Sequence, residues 1–200
     1  LPLGPGLLRL SDGSYRKPLS ADFQIRCMGP LAHWQVTCRF DLSNLPGGHE
    51  RALLLYPLPP QASLSVCRVS QESALGPEPE VRALDELPAD SLPPAPSKTM
   101  LETFGGETLP ILSLALDPYL AAYEPGRPLE LQLTFSNGLP TVDGRIRLSI
   151  PGRVAEALVA SGPSTVIGFQ VELEDADELV DEPTSNIELA QRKEGEVLHL

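Results

Sequence analysis

Apolar residues recur at every second position through much of this chain, and that spacing is the period of a β-strand. In "ADFQIRC" Phe23, Ile25 and Cys27 alternate with Asp22, Gln24 and Arg26. In "HWQVTCRFD" Trp34, Val36, Cys38 and Phe40 alternate with Gln35, Thr37 and Arg39. The turn "MGPLA" lies between them, so the two runs predict a hairpin. The alternation returns in "LPILSLAL", in "PLELQLTF" with Leu129, Leu131, Leu133 and Phe135 on one face, and in "GRIRLSI" with Ile146, Leu148 and Ile150. "IGFQVELE", "SNIELAQ" and "EVLHL" read as a later group of strands. Alternation of this kind gives a sheet one buried and one wet face, the habit of antiparallel sheets packed in a sandwich. The fold class expected is therefore all-β: an antiparallel β-sandwich with Pro-rich turns, one long Pro/acidic loop and at most one short helix.

One segment breaks the rhythm. In "RALLLYPLPPQASLSV" the apolar run Leu53 to Tyr56 meets Pro57-Leu58-Pro59-Pro60, and alternation resumes at Leu64. Proline lacks a backbone N–H and fixes φ, so a wall of prolines marks where a buried strand leaves its sheet.

Residues 70–107 interrupt the strands with a stretch rich in Pro, Ser and acidic residues, and a loop of that length in a compact domain is either functional or disordered. Within it, "PEVRALDEL" predicts two helical turns after Pro79. The chain divides accordingly into an N-terminal segment (1–17), a β-sandwich (18–152) and a C-terminal β segment (153–200) that packs on it or follows it.

Prolines (22) and glycines (16) make up about a fifth of the 200 residues, which fits many short elements joined by turns. The net charge of −12 argues against nucleic acid or an anionic membrane as partner, since both favour a basic surface. Part of that charge is local: every charged residue of "VELEDADELVDE", 171–182, is a carboxylate, and a solvated strand end and loop is the expected reading. No apolar stretch approaches the roughly 18–20 residues of a membrane-spanning helix. The opening residues have neither an initiator Met nor the plan of a signal peptide, which predicts a piece of a longer polypeptide. Three cysteines, Cys27, Cys38 and Cys67, show no zinc spacing, and their odd number leans towards a reducing, cytoplasmic compartment. A Cys27–Cys38 bridge and an extracellular location stay open.

Candidate chemistry is sparse. His33, His49 and His199 are not spaced as ligands on one element. G-x-S-x-G, G-x-x-x-x-G-K and G-x-G-x-x-G are all missing, and the near-match to a metal loop at Asp41 fails at Leu45. Trp34, the lone tryptophan, falls on an apolar face with Val36 and Phe40, where packing is expected. No enzyme, cofactor or metal site is expected.

Four pieces, in order, resemble the VIT domain, the module of vault proteins and inter-α-trypsin-inhibitor heavy chains. "IRCMGPLAHWQVTCRFDLSN" is similar to its opening hairpin, and "ALLLYPLPPQASLSVCRV" to its hallmark strand ending in an aromatic, Pro, Leu, Pro segment. "LPILSLALDPYLAAYEPGRPLELQLTF", followed by "GRIRLSIP", resembles its closing strands, and "VIGFQVELEDADELVDEPTSNIELAQRKEGEVLHL" the β segment after it, forming a small second layer. The resemblance covers about residues 18–200 and departs in the Pro-rich stretch near residues 73–98, where the family has a charged helix. It implies Trp34, Phe40, Tyr56, Pro57, Leu58 and Pro59 as hallmark structural residues. It also implies a non-catalytic protein–protein interaction or scaffold module, preceding a von Willebrand A domain that lies beyond Leu200. The partner is then another protein or that A domain.

Two other functions compete. An extracellular carbohydrate- or matrix-binding β-sandwich would use exposed aromatics such as Tyr119 and Tyr123, although aromatics are only 5% of the chain and most fall on inferred core faces. A metal-dependent enzyme would need Asp175 and Asp177 as ligands.

Overall fold

A computed structural model describes residues 6–10, 13–42, 52–59, 61–69, 80–83, 110–117, 126–142, 145–146, 148, 165–174, 192–194 and 197–199. For 80–83, 142, 145, 192–194 and 197–199 the description is of the backbone. The described residues form strands β1 (Leu7–Leu10), β2 (Tyr15–Arg16), β3 (Ser20–Met28), β4 (Leu31–Phe40), β5 (Ala52–Pro57), β6 (Ser63–Val69) and β7 (Glu80–Ala83). They continue with β8 (Pro110–Ala115), β9 (Leu129–Gly138), β10 (Thr141–Val142), β11 (Arg145–Ile146), β12 (Val166–Glu174), β13 (Arg192–Glu194) and β14 (Val197–His199). One sheet runs β2-β1-β5-β8-β7 and the other β13-β14-β12-β3-β4-β9-β6, with β10-β11 a small hairpin of its own. The all-β sandwich read from the periodicity is the architecture.

The hairpin β3–β4 is joined by Gly29 and Pro30. Gly29 has φ +54°, the conformation that opens a type II′ turn, whose twist matches the strands it joins. From there Phe23 pairs with Val36 and Ile25 with Trp34, and β4 pairs in turn with β9, placing Trp34 opposite Phe135. Alternate residues of β3, β4 and β9 are buried and belong to a core shared with Leu8, Leu54, Tyr56 and Leu112 of the five-stranded sheet. Burying each large aliphatic or aromatic side chain contributes about 1.5–3 kcal/mol, so this shared layer holds the two sheets together.

The apolar run of β5 has a different cause from the alternating strands. Leu54 and Leu55 are both buried, as are Leu7 and Leu8 of β1, so the centre of the five-stranded sheet is covered on both faces. A strand covered on both faces reads as a continuous apolar run. Its proline exit is also explained. Leu58 donates its N–H to the Pro110 carbonyl and Leu116 donates to Ala52, which puts the even-numbered residues of β5 on the β8 ladder. By alternation Pro57 faces the β1 side, where the pairing ends at Leu7–Leu55, and its missing N–H costs no β8 bond. Ala62 then donates to the Pro59 carbonyl across a turn in which Gln61 takes φ +58°.

Several expectations change. β12 lies parallel to β3 over Val166–Glu174, an exception to the antiparallel pairing expected throughout. Thr165 Oγ1 donates to the Pro18 carbonyl and Val166 N to that of Leu19, extending that pairing backwards. The strands after residue 165 enlarge the seven-stranded sheet through β3 and do not make a small second layer. "LLRL" in the N-terminal segment is strand β1, hydrogen-bonded to the centre of a sheet. The two helical turns expected from Pro79 are replaced at 80–83 by β7, antiparallel to β8. A tertiary ladder outweighs the weak helix propensity of four residues. "GRIRLSI" contributes the two-residue β11, paired with β10. "SNIELAQ" falls outside the described residues.

Candidate functional site

Four of the six hallmark residues belong to the core between the sheets, and two of them, Trp34 and Tyr56, meet at the same ring. Trp34 and Phe40 face the core from β4, Tyr56 from β5, and Leu58 just beyond it, and all are buried. The ring of Trp34 stacks on Phe135 with centroids 5.5 Å apart, and Tyr56 tilts against the same ring at 6.3 Å. Phe135 thus clasps the seven-stranded sheet to the proline exit of β5. Pro57 and Pro59 are buried beside this clasp.

The polar ends of Trp34 and Tyr56 are handled differently. Trp34 Nε1 donates to Asn137 Oδ1 at 2.7 Å, and Asn137 Nδ2 donates to the Gly138 carbonyl at 2.9 Å. Asn137 is the buried polar residue of the described core. The Tyr56 hydroxyl is buried with no hydrogen-bond partner among the described residues. Burial pushes its pKa well above the ordinary phenol value, and the neighbouring Cys38 adds to the shift.

The surface available for recognition is the wet face of the seven-stranded sheet. Gln170, Gln24, Gln35 and Thr134 stand in register across four strands as an uncharged row. On one side of it, Arg26 donates to Glu174 across the parallel pair. On the other, Arg39 binds Asp22 at 2.8 Å and Glu130 at 2.9 Å. His33 is exposed on this face, opposite Arg26 and Ser136. At the tip of the hairpin Met28 and Leu31 face each other, both partly exposed. The far edge is β6, which carries a bulge at Ser65 between Leu64 and Val66.

None of Cys27, Cys38 and Cys67 forms a disulfide. Cys38 pairs with Ala21 and Cys27 with Ala32, so the two stand six residues apart along the hairpin. At about 3.3 Å per residue that is roughly 20 Å, far beyond the reach of a disulfide. Burial pushes the Cys27 and Cys67 thiols up to about 11, and burial with the Asp22 charge pushes Cys38 up to about 12. Thiols held protonated in this way are poor nucleophiles and poor metal ligands.

Among the described residues no three His, Cys, Asp or Glu side chains gather as a metal site. His49, Tyr119, Tyr123, Asp175 and Asp177 lie outside the described residues, and His199 is placed by its backbone in β14. Asn137 and Phe135, the partners that complete the aromatic joint, were not among the hallmark residues. The signal for Asn137 was present: in "LELQLTFSNG" it continues the apolar-facing positions 129, 131, 133 and 135 with a single amide.

No family model matches the chain. No curated protein matches it either. Among solved structures it is similar to a mutant M1 zinc metallopeptidase from Deinococcus radiodurans bound to a Tyr-Ser-Ala substrate, at 11% identity and a TM-score of 0.40. The match covers 92% of this chain and 37% of that one, so the chain spans little more than a third of that protein's length. A likeness of this strength carries no argument about fold or activity.

Proposed function

We propose that this chain is a non-catalytic interaction and scaffold module of VIT type, docking on a partner protein or on a von Willebrand A domain that follows it in the same polypeptide. The observation that supports this reading is the convergence of the motif residues. The hairpin with Trp34, the exit Tyr56-Pro57-Leu58-Pro59 and the returning strand with Phe135 form one contiguous joint. They are the pieces through which the chain resembles that module, and a joint of this kind gives a rigid platform with a polar sheet face free for a partner. Three unbridged thiols fit a reducing, cytoplasmic setting.

Sequencing the native polypeptide past Leu200 tests the reading. An α/β domain carrying Asp-x-Ser-x-Ser supports it, with metal-dependent binding belonging to that domain. A polypeptide that stops near Leu200, or continues into another kind of domain, overturns the A-domain assignment.

A further inference from the structure

Of the three asparagines in the sequence, Asn137 alone precedes a glycine. An Asn–Gly pair carries its own reaction. The glycine backbone nitrogen can attack the side-chain amide carbon of the asparagine before it, and glycine has no side chain to hinder the approach. The two partners in that reaction are placed very differently here. Gly138 is exposed and lies opposite Leu31 at the end of β9. Leu139 donates its N–H to the Pro30 carbonyl, which fixes the ladder and turns the Gly138 N–H away from β4, towards the β6 side. There the pairing ends at Ser63–Ser136, so the β6 ladder does not engage that N–H. A Cβ at Gly138 would meet nothing within 4 Å, so water has room beside it. Asn137, by contrast, is buried, and both ends of its amide are held: Oδ1 accepts the Trp34 indole N–H and Nδ2 donates to the Gly138 carbonyl. The nucleophile is in place and the electrophile is tied back.

We propose that Asn137–Gly138 is a site of spontaneous deamidation whose rate the Trp34 hydrogen bond restrains. When the Asn137 amide swings off the indole, the Gly138 nitrogen bonds to Cγ as its proton leaves, the Cγ–Nδ2 bond breaks, and ammonia departs. Water then opens the resulting succinimide ring at either carbonyl, giving aspartate or isoaspartate. The net change is water in and ammonia out, with no redox step. Both products lose the Nδ2 donor and gain a carboxylate at the core, and isoaspartate also adds a methylene to the main chain where β9 pairs with β4. A buried carboxylate is disfavoured, so a chain that has reacted is permanently loosened at its aromatic joint. The site bears on the lifetime of the module and holds whatever the module docks on.

The test is incubation of the whole 200-residue chain at mildly alkaline pH, with peptide mapping for the mass gain of amide-to-acid conversion at 137–138. Parallel samples are the urea-unfolded chain and folded Trp34→Phe, Tyr56→Ala and Gly138→Ala. The expected order of rates puts the unfolded chain first, then Trp34→Phe, then wild type, with Gly138→Ala slowest. Trp34→Phe should gain up to about tenfold over wild type, the factor one hydrogen bond contributes to an opening equilibrium. Tyr56→Ala loosens the same joint and leaves the bond in place, so it should react more slowly than Trp34→Phe. The reverse order would assign the restraint to overall stability and overturn the role of the bond. A folded wild type that reacts as fast as the unfolded chain overturns the proposal, as does one that stays unmodified while the unfolded chain is converted. So does a Gly138→Ala chain that reacts as fast as wild type. In the wild type the emission of Trp34, the lone tryptophan, should shift in step with the mass change, and an unmoved spectrum contradicts a reaction beside the indole.

Discussion

Trp34 and Asn137 hold each other inside the sandwich: the indole N–H donates to the amide oxygen at 2.7 Å, with both side chains buried. Replacing Asn137 by Leu strands the indole donor. The expected loss is about 1–3 kcal/mol in urea unfolding, the cost of a buried unsatisfied group. In the Asn137→Leu background, Trp34→Phe should cost less than it does in the wild type, because there it removes a donor already stranded and breaks no hydrogen bond. Equal costs in the two backgrounds would show that the bond carries no coupling.

Tyr56 presents the opposite case. Its hydroxyl is buried and has no partner among the described residues, while its ring packs on Phe135. Tyr56→Phe keeps the ring and removes the orphan, so stability is expected to hold or to rise by about 1 kcal/mol. Tyr56→Ala opens the clasp and should cost about 3–5 kcal/mol, as large aromatic truncations do. Chemical unfolding of the two variants separates packing from polarity.

The thiols give stability a definite pH dependence. In the unfolded chain a cysteine titrates near 9.0, whereas burial moves Cys27 and Cys67 to about 11 and Cys38 to about 12. Between these values the folded state binds more protons than the unfolded state, so stability falls as pH rises. The contribution is complete below pH 9 and is lost as pH climbs through 11 to 12. Midpoints of urea unfolding measured from pH 8 upwards should decline across that window, and less so when Cys38 is replaced by Ala. Iodoacetamide at pH 8 should label the folded chain far more slowly than the unfolded one.

Gly168 has a steric duty on the wet face. A Cβ at that position would lie 2.7 Å from Asp22 Oδ1. Gly168→Ala must move Asp22, and Asp22 is one of the two carboxylates on Arg39. These groups are well exposed, so the expected loss is under about 1 kcal/mol. The clearer readout is a changed NMR shift of the Arg39 side chain.

The buried faces of β3, β4 and β9 were legible because period-two alternation is a direct imprint of a sheet with one wet side. β1 left no such imprint: Leu7 and Leu8 are buried on opposite faces, and four apolar-rich residues fit several structures. The parallel setting of β12 beside β3 was also hidden, since alternation marks a strand's faces and not its direction. In "EVRA" the residue types favour a helix, and pairing with β8 decided otherwise. At the site, the proline exit and Trp34 were visible as residue types. That Phe135 joins them depends on the register of β4 against β9, which no local pattern encodes.

The central claim is that this sandwich binds a protein domain and carries out no chemistry of its own. The measurement that tests it most directly is a calorimetric titration of the 200-residue chain with a von Willebrand A domain, the partner proposed for it. The account predicts saturable one-to-one heat, reduced when the Gln24 and Gln35 row on the wet face is replaced by Lys, and no turnover of either component. An absence of saturable heat, or turnover by the purified chain, would contradict it.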